Sequence, residues 1–320
     1  MVINVSAVEP LELGTWPTPL ERAPRLAVSL GLGEGDLWIK RDDLTGLGGG
    51  GNKIRKLQYS CADALRVGAT TLVTSGAAQS NHARLTAATA ARLDLRCVLV
   101  LEGTAPPAAQ GNLILDHLAG AKVVWAGVLR PDELRDRVEV AAQEVQDQGG
   151  SPYVIPFGGS NPLAVQGYID GAAELESQLP GIEHVVVAVG SGGTMAGLVA
   201  GMGAERVLGI DTGALPDAPT SVRDLLASVS GTQAELRLQI HRGQVGQGYG
   251  VLTPAAKRAM RLAAQTEGLF LDPTYTARAL AGLVELVSDR HIRSGQTTVF
   301  MHTGGLPGLF GHRQLTDLLR

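Results

Sequence analysis

The sequence predicts an α/β protein with two parallel-sheet α/β domains and a ligand cleft between them. Apolar runs of strand length alternate along the chain with longer segments of helical periodicity, which is typical of parallel sheets covered by helices on both faces. These units are too many for one compact sheet, and 320 residues suffice for about two domains. The 42 glycines and the aromatic content of only 4% indicate tight turns and ligand binding through loops.

The predicted strands are short apolar runs rich in residues that favour β-structure. In chain order they are 69–74, 96–101, 122–125, 153–156, 184–189, 207–211, 236–241 and 298–302. The segments between them have the length and the apolar periodicity of helices. The predicted helices are 52–66, 80–93, 110–118, 132–148, 163–179, 194–202, 254–267 and 275–289.

The order of these elements also predicts where the chain passes between domains. The long helix 52–66 carries the chain into a second domain, and the glycine-containing turn 158–162 brings it back. We therefore expect a small α/β domain of residues 61–160, inserted into a larger ligand-binding domain formed by 1–60 and 161–320.

Composition excludes several classes of protein. A hydrophobic content of 44% with 18% charged residues is ordinary for a compact protein. The net charge of −4 gives no broad basic field for nucleic acid or for an anionic membrane, so an anion site must be local. Residues 1–8 lack a basic segment followed by an apolar run, and no apolar stretch of about 18 residues follows, which predicts a cytoplasmic protein. Cys61 and Cys97 have neither paired nor metal-ligand spacing, which predicts small core residues and no metal site.

Lys53 is the first candidate for chemistry. It follows four glycines, 48–51, and precedes an amphipathic helix. A cation in a first helical turn opposes the helix dipole, and Arg55 and Lys56 lower its pKa by repulsion, so Lys53 is a candidate nucleophile toward an aldehyde. The alternative is an exposed lysine at the start of a helix. Ile54 excludes a Walker A loop, which needs Ser or Thr after the lysine.

The segment 190–197 is a candidate anion site. It follows an apolar strand and opens a helix, so that backbone N–H groups and the hydroxyls of Ser191 and Thr194 can enclose a phosphate. Met195 stands where a dinucleotide fingerprint has its third glycine, so that fingerprint is not matched. A purely structural turn is the alternative.

A third cluster, 79–82, follows a strand and opens the helix 80–93. Ser80 or Asn81 is a good N-cap, and the helix N-terminus at the carboxyl edge of a sheet also favours a carboxylate ligand. Tyr249 and Tyr275 lie in glycine- and proline-containing turns, and Thr303 ends the last strand, where a buried structural threonine is the alternative.

Taken in order, five motifs resemble one family of enzymes. They are 16–20, 40–43, 50–57, 79–82 and 302–305, and together they extend over nearly the whole chain. The chain resembles the fold type II, tryptophan-synthase-β-like pyridoxal-phosphate enzymes, and among them the family of 1-aminocyclopropane-1-carboxylate deaminase and D-cysteine desulfhydrase. The resemblance implies that pyridoxal 5′-phosphate binds in the cleft, and that the protein is a homodimer that acts on a small amino acid.

The resemblance also assigns roles to the candidate residues. Lys53 would hold the cofactor as a Schiff base, and Asn81 would hydrogen-bond its 3′-oxygen. The residues that would hold the phosphate are Lys56, Ser191, Gly192, Gly193 and Thr194. The substrate would be bound by Gln79, Ser80, Asn81, His82 and Thr276. Ser80 would be a candidate acid or base, and Tyr249 and Tyr275 would line the pocket near the reacting carbons.

Two positions separate the activities within this family. By resemblance, the deaminases have a glutamate where this chain has Thr276, and a leucine where Thr303 would meet the pyridine nitrogen. A neutral hydroxyl leaves that nitrogen unprotonated, and this weaker electron sink suffices when a good leaving group departs from Cβ. Both positions favour β-elimination of D-cysteine to pyruvate, sulfide and ammonia.

Other activities share these motifs. They are L-cysteate sulfo-lyase activity, elimination from serine or β-chloroalanine and, with less support, cyclopropane deamination. An alternative function from another class is that of a non-catalytic regulatory protein that binds a phosphate or a nucleotide. In that case Lys53 would only neutralise the charge of the bound anion.

Overall fold

The computed structural model describes residues 8–230 and 236–319 as ten strands and eleven α-helices. The strands are β1 Leu20–Arg22, β2 Leu37–Lys40, β3 Thr71–Gly76, β4 Arg96–Leu101, β5 Lys122–Trp125, β6 Pro152–Val154, β7 His184–Val189, β8 Val207–Asp211, β9 Gln239–His241 and β10 Thr298–Met301. The helices are α1 Pro24–Ser29, α2 Lys53–Arg66, α3 Asn81–Arg92, α4 Asn112–Leu118, α5 Pro131–Asp147, α6 Pro162–Gln178, α7 Gly193–Met202, α8 Ala218–Ser230, α9 Pro254–Glu267, α10 Thr276–Ser288 and α11 Leu306–Phe310.

The strands form two sheets, as the sequence predicts. The larger sheet has the order β1-β2-β10-β7-β8-β9 and is parallel except for β1, which pairs antiparallel with β2. The smaller sheet has the order β5-β4-β3-β6 and is parallel throughout. The predicted α/β class with two parallel sheets is confirmed. All four strands of the smaller sheet lie inside the predicted inserted segment 61–160, whose bounds stay a prediction.

The two sheets share one feature of topology that creates a site. In the larger sheet the chain moves outward from β7 to β8 and β9, and β10 returns on the other side of β7. The smaller sheet does the same from β3, with β6 on the other side. Loops at such a switch point leave the sheet in opposite directions and open a crevice at the carboxyl edge. The loops after β3, β6, β7 and β10 are therefore the expected ligand loops.

Helix α2 joins the two sheets. Ile54 and Leu57 are fully buried in the core on one face of the smaller sheet. On its other side α2 packs against α6 so closely that a Cβ on Gly167 would lie 2.0 Å from the Arg55 carbonyl oxygen. A side chain at position 167 would force these helices apart. This contact fixes the first turns of α2, and with them Lys53, relative to the larger sheet.

Some sequence expectations need correction. The elements β1, β2, α1 and α11 were not predicted, because short segments carry little periodicity of their own, and the 13-residue helix α8 was also missed. The strand predicted at 236–241 covers only Gln239–His241. Cys61 and Cys97 are free and buried, as predicted, and burial raises the pKa of both thiols.

Two further expectations concern membranes and metals. Within the described ranges, no helix is long and apolar enough to cross a membrane, and no group of His, Cys, Asp or Glu could hold a metal ion. The expectation for residues 1–8 rests mainly on residues 1–7, which lie outside the described part of the chain.

Candidate active site

A cavity opens between the carboxyl edges of the two sheets, where the four switch-point loops meet the first turn of α2. Its lining residues are Asn52, Lys53, Lys56, Ala77, Ser80, Asn81, His82, Phe157, Gly158, Ala188, Gly190, Ser191, Gly192, Thr194, Ala214, Tyr249, Tyr275, Thr303 and Gly304. Most of the side chains singled out in the sequence therefore surround one cavity. They come from segments more than 200 residues apart, from Asn52 to Gly304.

Lys53 reaches into this cavity from the first turn of α2. Its Nζ donates a hydrogen bond to the carbonyl oxygen of Gly158, at 3.0 Å, in the loop after β6. Burial lowers the pKa of Lys53 to about 8. The alternative of a solvent-exposed lysine does not fit this position. Only a neutral amine is a nucleophile, and a pKa of about 8 leaves part of the Lys53 amine neutral near neutral pH.

Lys56 lies one helical turn further on and is buried. Its Nζ donates to Ser160 Oγ at 3.1 Å, and Ser160 Oγ lies 2.7 Å from Ser191 Oγ. Burial, and then repulsion by Lys53, lower the pKa of Lys56 well below its ordinary value. Neither lysine forms an ion pair with a described carboxylate. A buried lysine beside a half-buried one, neither with a counter-charge, destabilises the fold unless a ligand supplies that charge.

The loop after β7 faces these cations. Gly192 is the N-cap of α7 with φ +89°, a left-handed conformation that favours glycine. A Cβ on Gly193 would lie 2.5 Å from Ser160 Oγ and 2.9 Å from Lys56 Nζ, so a side chain there would displace these two polar atoms. Gly193 is therefore packed against Ser160 and Lys56 and does not itself line the cavity. The next two residues of α7, Thr194 and Met195, have backbone N–H groups without a described partner, and this arrangement has the chemistry of an anion site.

Sequence reasoning missed two residues at this anion site. Asn52 Nδ2 donates to Thr194 Oγ1 at 3.0 Å, which joins the start of α2 to the start of α7. Ser160 bridges Lys56 and Ser191, and it also accepts the N–H of Gly193 at 3.3 Å. The signal for Asn52 was its place beside Lys53, whereas Ser160 had been taken only as part of a turn.

The start of α3 forms the opposite side of the cavity. Ser80 is the N-cap, as predicted, and its Oγ accepts the N–H of Ala83 at 3.1 Å. His82 Nε2 lies 2.9 Å from Thr74 Oγ1, and burial, followed by repulsion from Lys53, lowers the His82 pKa well below its ordinary value. A neutral imidazole and a helix N-terminus with free N–H groups therefore face the cavity.

Gln79 is directed elsewhere. Its Oε1 accepts the N–H of Asn112 at 2.9 Å and its Nε2 donates to the Gln110 carbonyl oxygen at 3.0 Å. It does not line the cavity, so its predicted contact with a substrate has no support in this geometry. The amide instead fastens the loop before α4 to the start of α3.

Tyr249 and Tyr275 close the cavity as a pair. Their hydroxyl oxygens lie 2.6 Å apart and their rings meet edge to face. Burial raises the pKa of Tyr249 to about 12 and that of Tyr275 well above its ordinary value. Both hydroxyls are therefore protonated at neutral pH. Thr303, two residues after the end of β10, also lines the cavity.

Thr276 does not reach the cavity, which corrects its prediction as a substrate-binding residue. Its side chain is fully buried, and its hydroxyl donates to Asp272 Oδ1 at 2.7 Å. Asp272 was missed from the sequence. Its carboxylate also accepts the N–H groups of Thr274, Tyr275 and Thr276, so it holds the turn that sets the position of the Tyr275 ring.

Comparison with known proteins identifies the class of this protein. A family described as pyridoxal-phosphate dependent enzyme matches residues 11–304. The chain therefore belongs to the family of pyridoxal-phosphate dependent enzymes. This family of enzymes excludes the alternative of a non-catalytic regulatory protein that binds a phosphate or a nucleotide.

Individual relatives place it more narrowly. It is 40% identical to a D-cysteine desulfhydrase of Klebsiella pneumoniae (strain 342), over 97% of this chain and 98% of that protein. It is 39% identical to a D-cysteine desulfhydrase of Salmonella schwarzengrund (strain CVM19633), over 94% and 95%. A crystal structure of an ACC deaminase homologue, 36% identical, covers 98% of this chain and 97% of its own with a TM-score of 0.89.

More distant structures share the fold alone. The processed form of threonine deaminase isoform 2 from Solanum lycopersicum is 18% identical, with a TM-score of 0.67 over 99% of this chain and 84% of its own. The architecture is that of the fold type II pyridoxal-phosphate enzymes.

The described residues fit this cofactor. Its aldehyde requires an amine of low pKa, which Lys53 provides, and its phosphate requires a cation and free N–H groups, which Lys56 and the start of α7 provide. The glycine at 193 leaves room where a side chain would collide with Lys56.

Proposed function

We propose that this chain catalyses the pyridoxal-phosphate-dependent β-elimination of D-cysteine, in which one water is consumed and pyruvate, sulfide and ammonia are released. The observation that carries the proposal is the amine of Lys53, which lies in the cavity with a pKa lowered to about 8 and without a described carboxylate partner. The relatives described as D-cysteine desulfhydrases over nearly the full length support the choice of substrate.

We assign the cofactor's contacts as follows. Lys53 would hold its aldehyde carbon, Asn81 would donate to its ring oxygen, and Thr303 would contact its ring nitrogen. Its phosphate would be held by Lys56, Ser191, Gly192, Gly193 and Thr194. When bound, the cofactor supplies an electron sink for the pair of electrons left at Cα.

The substrate's carboxylate would lie at the start of α3. Free N–H groups of the first turn and the positive end of the helix dipole favour an anion there, and the Ser80 hydroxyl is beside them. His82, held neutral by burial, does not add a formal charge to this subsite. One small carboxylate would therefore be oriented by its fixed neighbours.

Proton transfer is assigned to groups on two sides of the cavity. Lys53, once released to a free amine, would remove the proton from Cα, because its lowered pKa lets it act as a base near neutral pH. The hydroxyl pair of Tyr249 and Tyr275 would donate a proton to the leaving sulfur, since both are protonated. The released enamine then hydrolyses to pyruvate and ammonia.

The pocket favours elimination over cyclopropane deamination. Thr303 offers a neutral hydroxyl for the ring nitrogen, and position 276, where the deaminases by resemblance carry a glutamate, is a threonine that adds no carboxylate to keep that nitrogen protonated. The Thr276 hydroxyl is committed to Asp272 and supplies no charge to the cavity. A weaker electron sink suffices for a thiolate leaving group.

The direct test measures products from a panel of substrates. Sulfide and pyruvate are assayed with D-cysteine and L-cysteine, chloride with β-chloro-D-alanine and β-chloro-L-alanine, sulfite with L-cysteate, and ammonia with 1-aminocyclopropane-1-carboxylate. Stoichiometric sulfide and pyruvate from D-cysteine, at the highest kcat/KM, are expected. Faster sulfite release from L-cysteate would replace the proposed substrate by the alternative.

A pair of lysine variants tests the assignment of Lys53. Lys53→Ala should lose the visible absorbance of the bound cofactor and all turnover. Lys122→Ala removes an exposed lysine from β5 and should keep both. Retained turnover in Lys53→Ala would reject the assignment.

We further propose that the enzyme is a homodimer and acts in the cytoplasm. Sedimentation equilibrium tests the first proposal, since a mass near that of one chain would reject it. Cell fractionation with an antibody against the protein tests the second.

A further inference from the structure

Asn112 is a fully buried amide at the start of α4, outside the cavity lining. Its Oδ1 accepts from Arg84 Nε at 3.2 Å, and its Nδ2 donates to the Gln79 carbonyl oxygen at 2.8 Å and to Asn81 Oδ1 at 2.9 Å. Both N–H donors of the amide and one acceptor position of its oxygen are thus used toward residues that precede α3 or lie in its first turn.

The chemistry of these partners determines which way each amide points. A guanidinium nitrogen only donates, so Asn112 must present its oxygen to Arg84. A backbone carbonyl only accepts, so Asn112 must present its NH₂ to Gln79. The same NH₂ meets Asn81, which must therefore present its own oxygen. The Asn81 NH₂ is left for the other side, where it lies against the loop after β10, and a Cβ on Gly305 would be 2.9 Å from it.

Arg84 extends the same network to the segment that precedes Lys53. It is buried, and its Nη1 donates to the carbonyl oxygens of Gly48 and, at 3.0 Å, Gly50. One guanidinium therefore holds the glycine loop ahead of Lys53 and also sets the amide of Asn112. The amine and the amide on the two sides of the cavity are positioned by a shared pair of buried residues.

We propose that Asn112, held by Arg84, is a positioning residue of the cofactor site, and that it fixes the Asn81 amide so that its NH₂ and not its oxygen faces the cavity. The inference rests on the proposed function, because it assumes that the cofactor binds in this cavity. A donor at this position favours a negative charge on the neighbouring ring oxygen, whereas an amide oxygen would disfavour it.

The test reverses the amide. In Asn112→Asp, the carboxylate still accepts from Arg84, which keeps it ionised, but its second oxygen repels both the Gln79 carbonyl oxygen and Asn81 Oδ1, and it draws the Asn81 NH₂ away from the cavity. Equilibrium dialysis of the holoenzyme should give a dissociation constant for pyridoxal phosphate that is about ten- to a hundredfold higher. The pH midpoint of the cofactor's visible absorbance should also move upward.

Two further variants complete the series. Asn112→Ser removes the amide without adding repulsion, and it should give an intermediate loss of affinity. If Asn112→Asp does not fold, this variant alone tests whether Asn112 positions the Asn81 amide. Gln146→Glu introduces the same negative charge at an exposed position of α5, which takes no part in this network, and it should keep wild-type affinity and absorbance midpoint.

The outcomes separate this inference from the proposed function. If folded Asn112→Asp and Asn112→Ser both match the wild type in affinity and in absorbance midpoint, the positioning role is rejected. If the wild-type protein binds no pyridoxal phosphate, the proposed function fails first and this inference with it. D-cysteine turnover is not the readout, so a different preferred substrate would not alter the result.

Discussion

The two faces of α2 differ in whether their cationic side chains have carboxylate partners. On one face Arg55 Nη2 lies 2.9 Å from Asp42 Oδ1 and 2.8 Å from Glu174 Oε1. Burial opposes the charge of Arg55, but these carboxylates overcome it and raise the pKa of Arg55 above its ordinary value. On the other face Lys53 and Lys56 have no described carboxylate partner, and burial lowers both pKa values.

This difference distinguishes a structural charge from a functional one. Arg55 is satisfied within the chain, so it needs no ligand and holds α2 against the larger sheet. The two lysines are one and two positions away in sequence, yet they are left without a counter-charge where a cavity opens. A folded protein tolerates such cations when a bound anion compensates them, which is the case for a cofactor with an aldehyde and a phosphate.

The largest expected effect follows from removal of the Arg55 ion pairs on one face of α2. Arg55→Met leaves Asp42 and Glu174 without their main partner, so the free energy of unfolding should fall by about 3–5 kcal/mol in urea titrations. Arg130→Met, at the start of α5, removes an ion pair with Glu133 in which both side chains are exposed, and should cost less than about 1 kcal/mol. Equal losses in the two variants would contradict the contrast between the faces.

On the cavity face, replacing a cation by methionine should not lower the free energy of unfolding. Lys56→Met removes a buried cation that lacks a counter-charge, so the apo-protein should be at least as stable as the wild type. The dissociation constant for pyridoxal phosphate should rise by about ten- to a hundredfold, because a charge-assisted hydrogen bond to its phosphate is lost. Calorimetry of the apo-protein and equilibrium dialysis measure the two effects, with Lys122→Met as the exposed control. A destabilised apo-protein with unchanged affinity would show that Lys56 is structural.

Asp116 extends the comparison to a buried carboxylate without a hydrogen-bond partner among the described residues. Burial raises its pKa from 3.8 to about 7, against the opposing effect of Arg84. Because the folded-state pKa lies above the unfolded value, the folded protein binds the proton more tightly, and stability falls as pH rises from about 4 to about 7. Asp116→Asn should match the wild type at pH 4 and exceed its free energy of unfolding by about 2 kcal/mol at pH 8. An equal difference at both pH values would exclude titration of Asp116 as its cause.

The last predicted effect is kinetic and concerns Lys53. Only the neutral amine attacks an aldehyde, so uptake of pyridoxal phosphate by the apo-protein should fall by about tenfold for each pH unit below the Lys53 pKa. Stopped-flow absorbance should place the midpoint near pH 8, where the Lys53 pKa lies, and not near 10.5. A midpoint near 10.5 would mean that the cavity does not desolvate the amine in solution.

Much of this fold was predictable because its signals are local. The predicted strands 96–101, 122–125, 184–189 and 207–211 coincide with β4, β5, β7 and β8, whose apolar runs reflect burial on both faces. Most of the predicted site residues also line the cavity, since glycines and polar side chains at strand ends carry a recognisable pattern. Three did not follow that pattern, because Gln79 and Thr276 find partners in Asn112 and Asp272 and Gly193 is packed against Ser160 and Lys56.

The sequence alone determined the alternation of strands and helices, the lysine after its glycine loop, and the family that these motifs resemble. Only the tertiary structure decided which charges are compensated, since Arg55 and Lys56 are adjacent in sequence but face different neighbours. It alone brought Ser160 to Lys56, and Asn112 to Asn81. The physical reason is that periodicity and turn chemistry act within a few residues, whereas a side chain's partners and its desolvation depend on segments that meet only when the chain has folded.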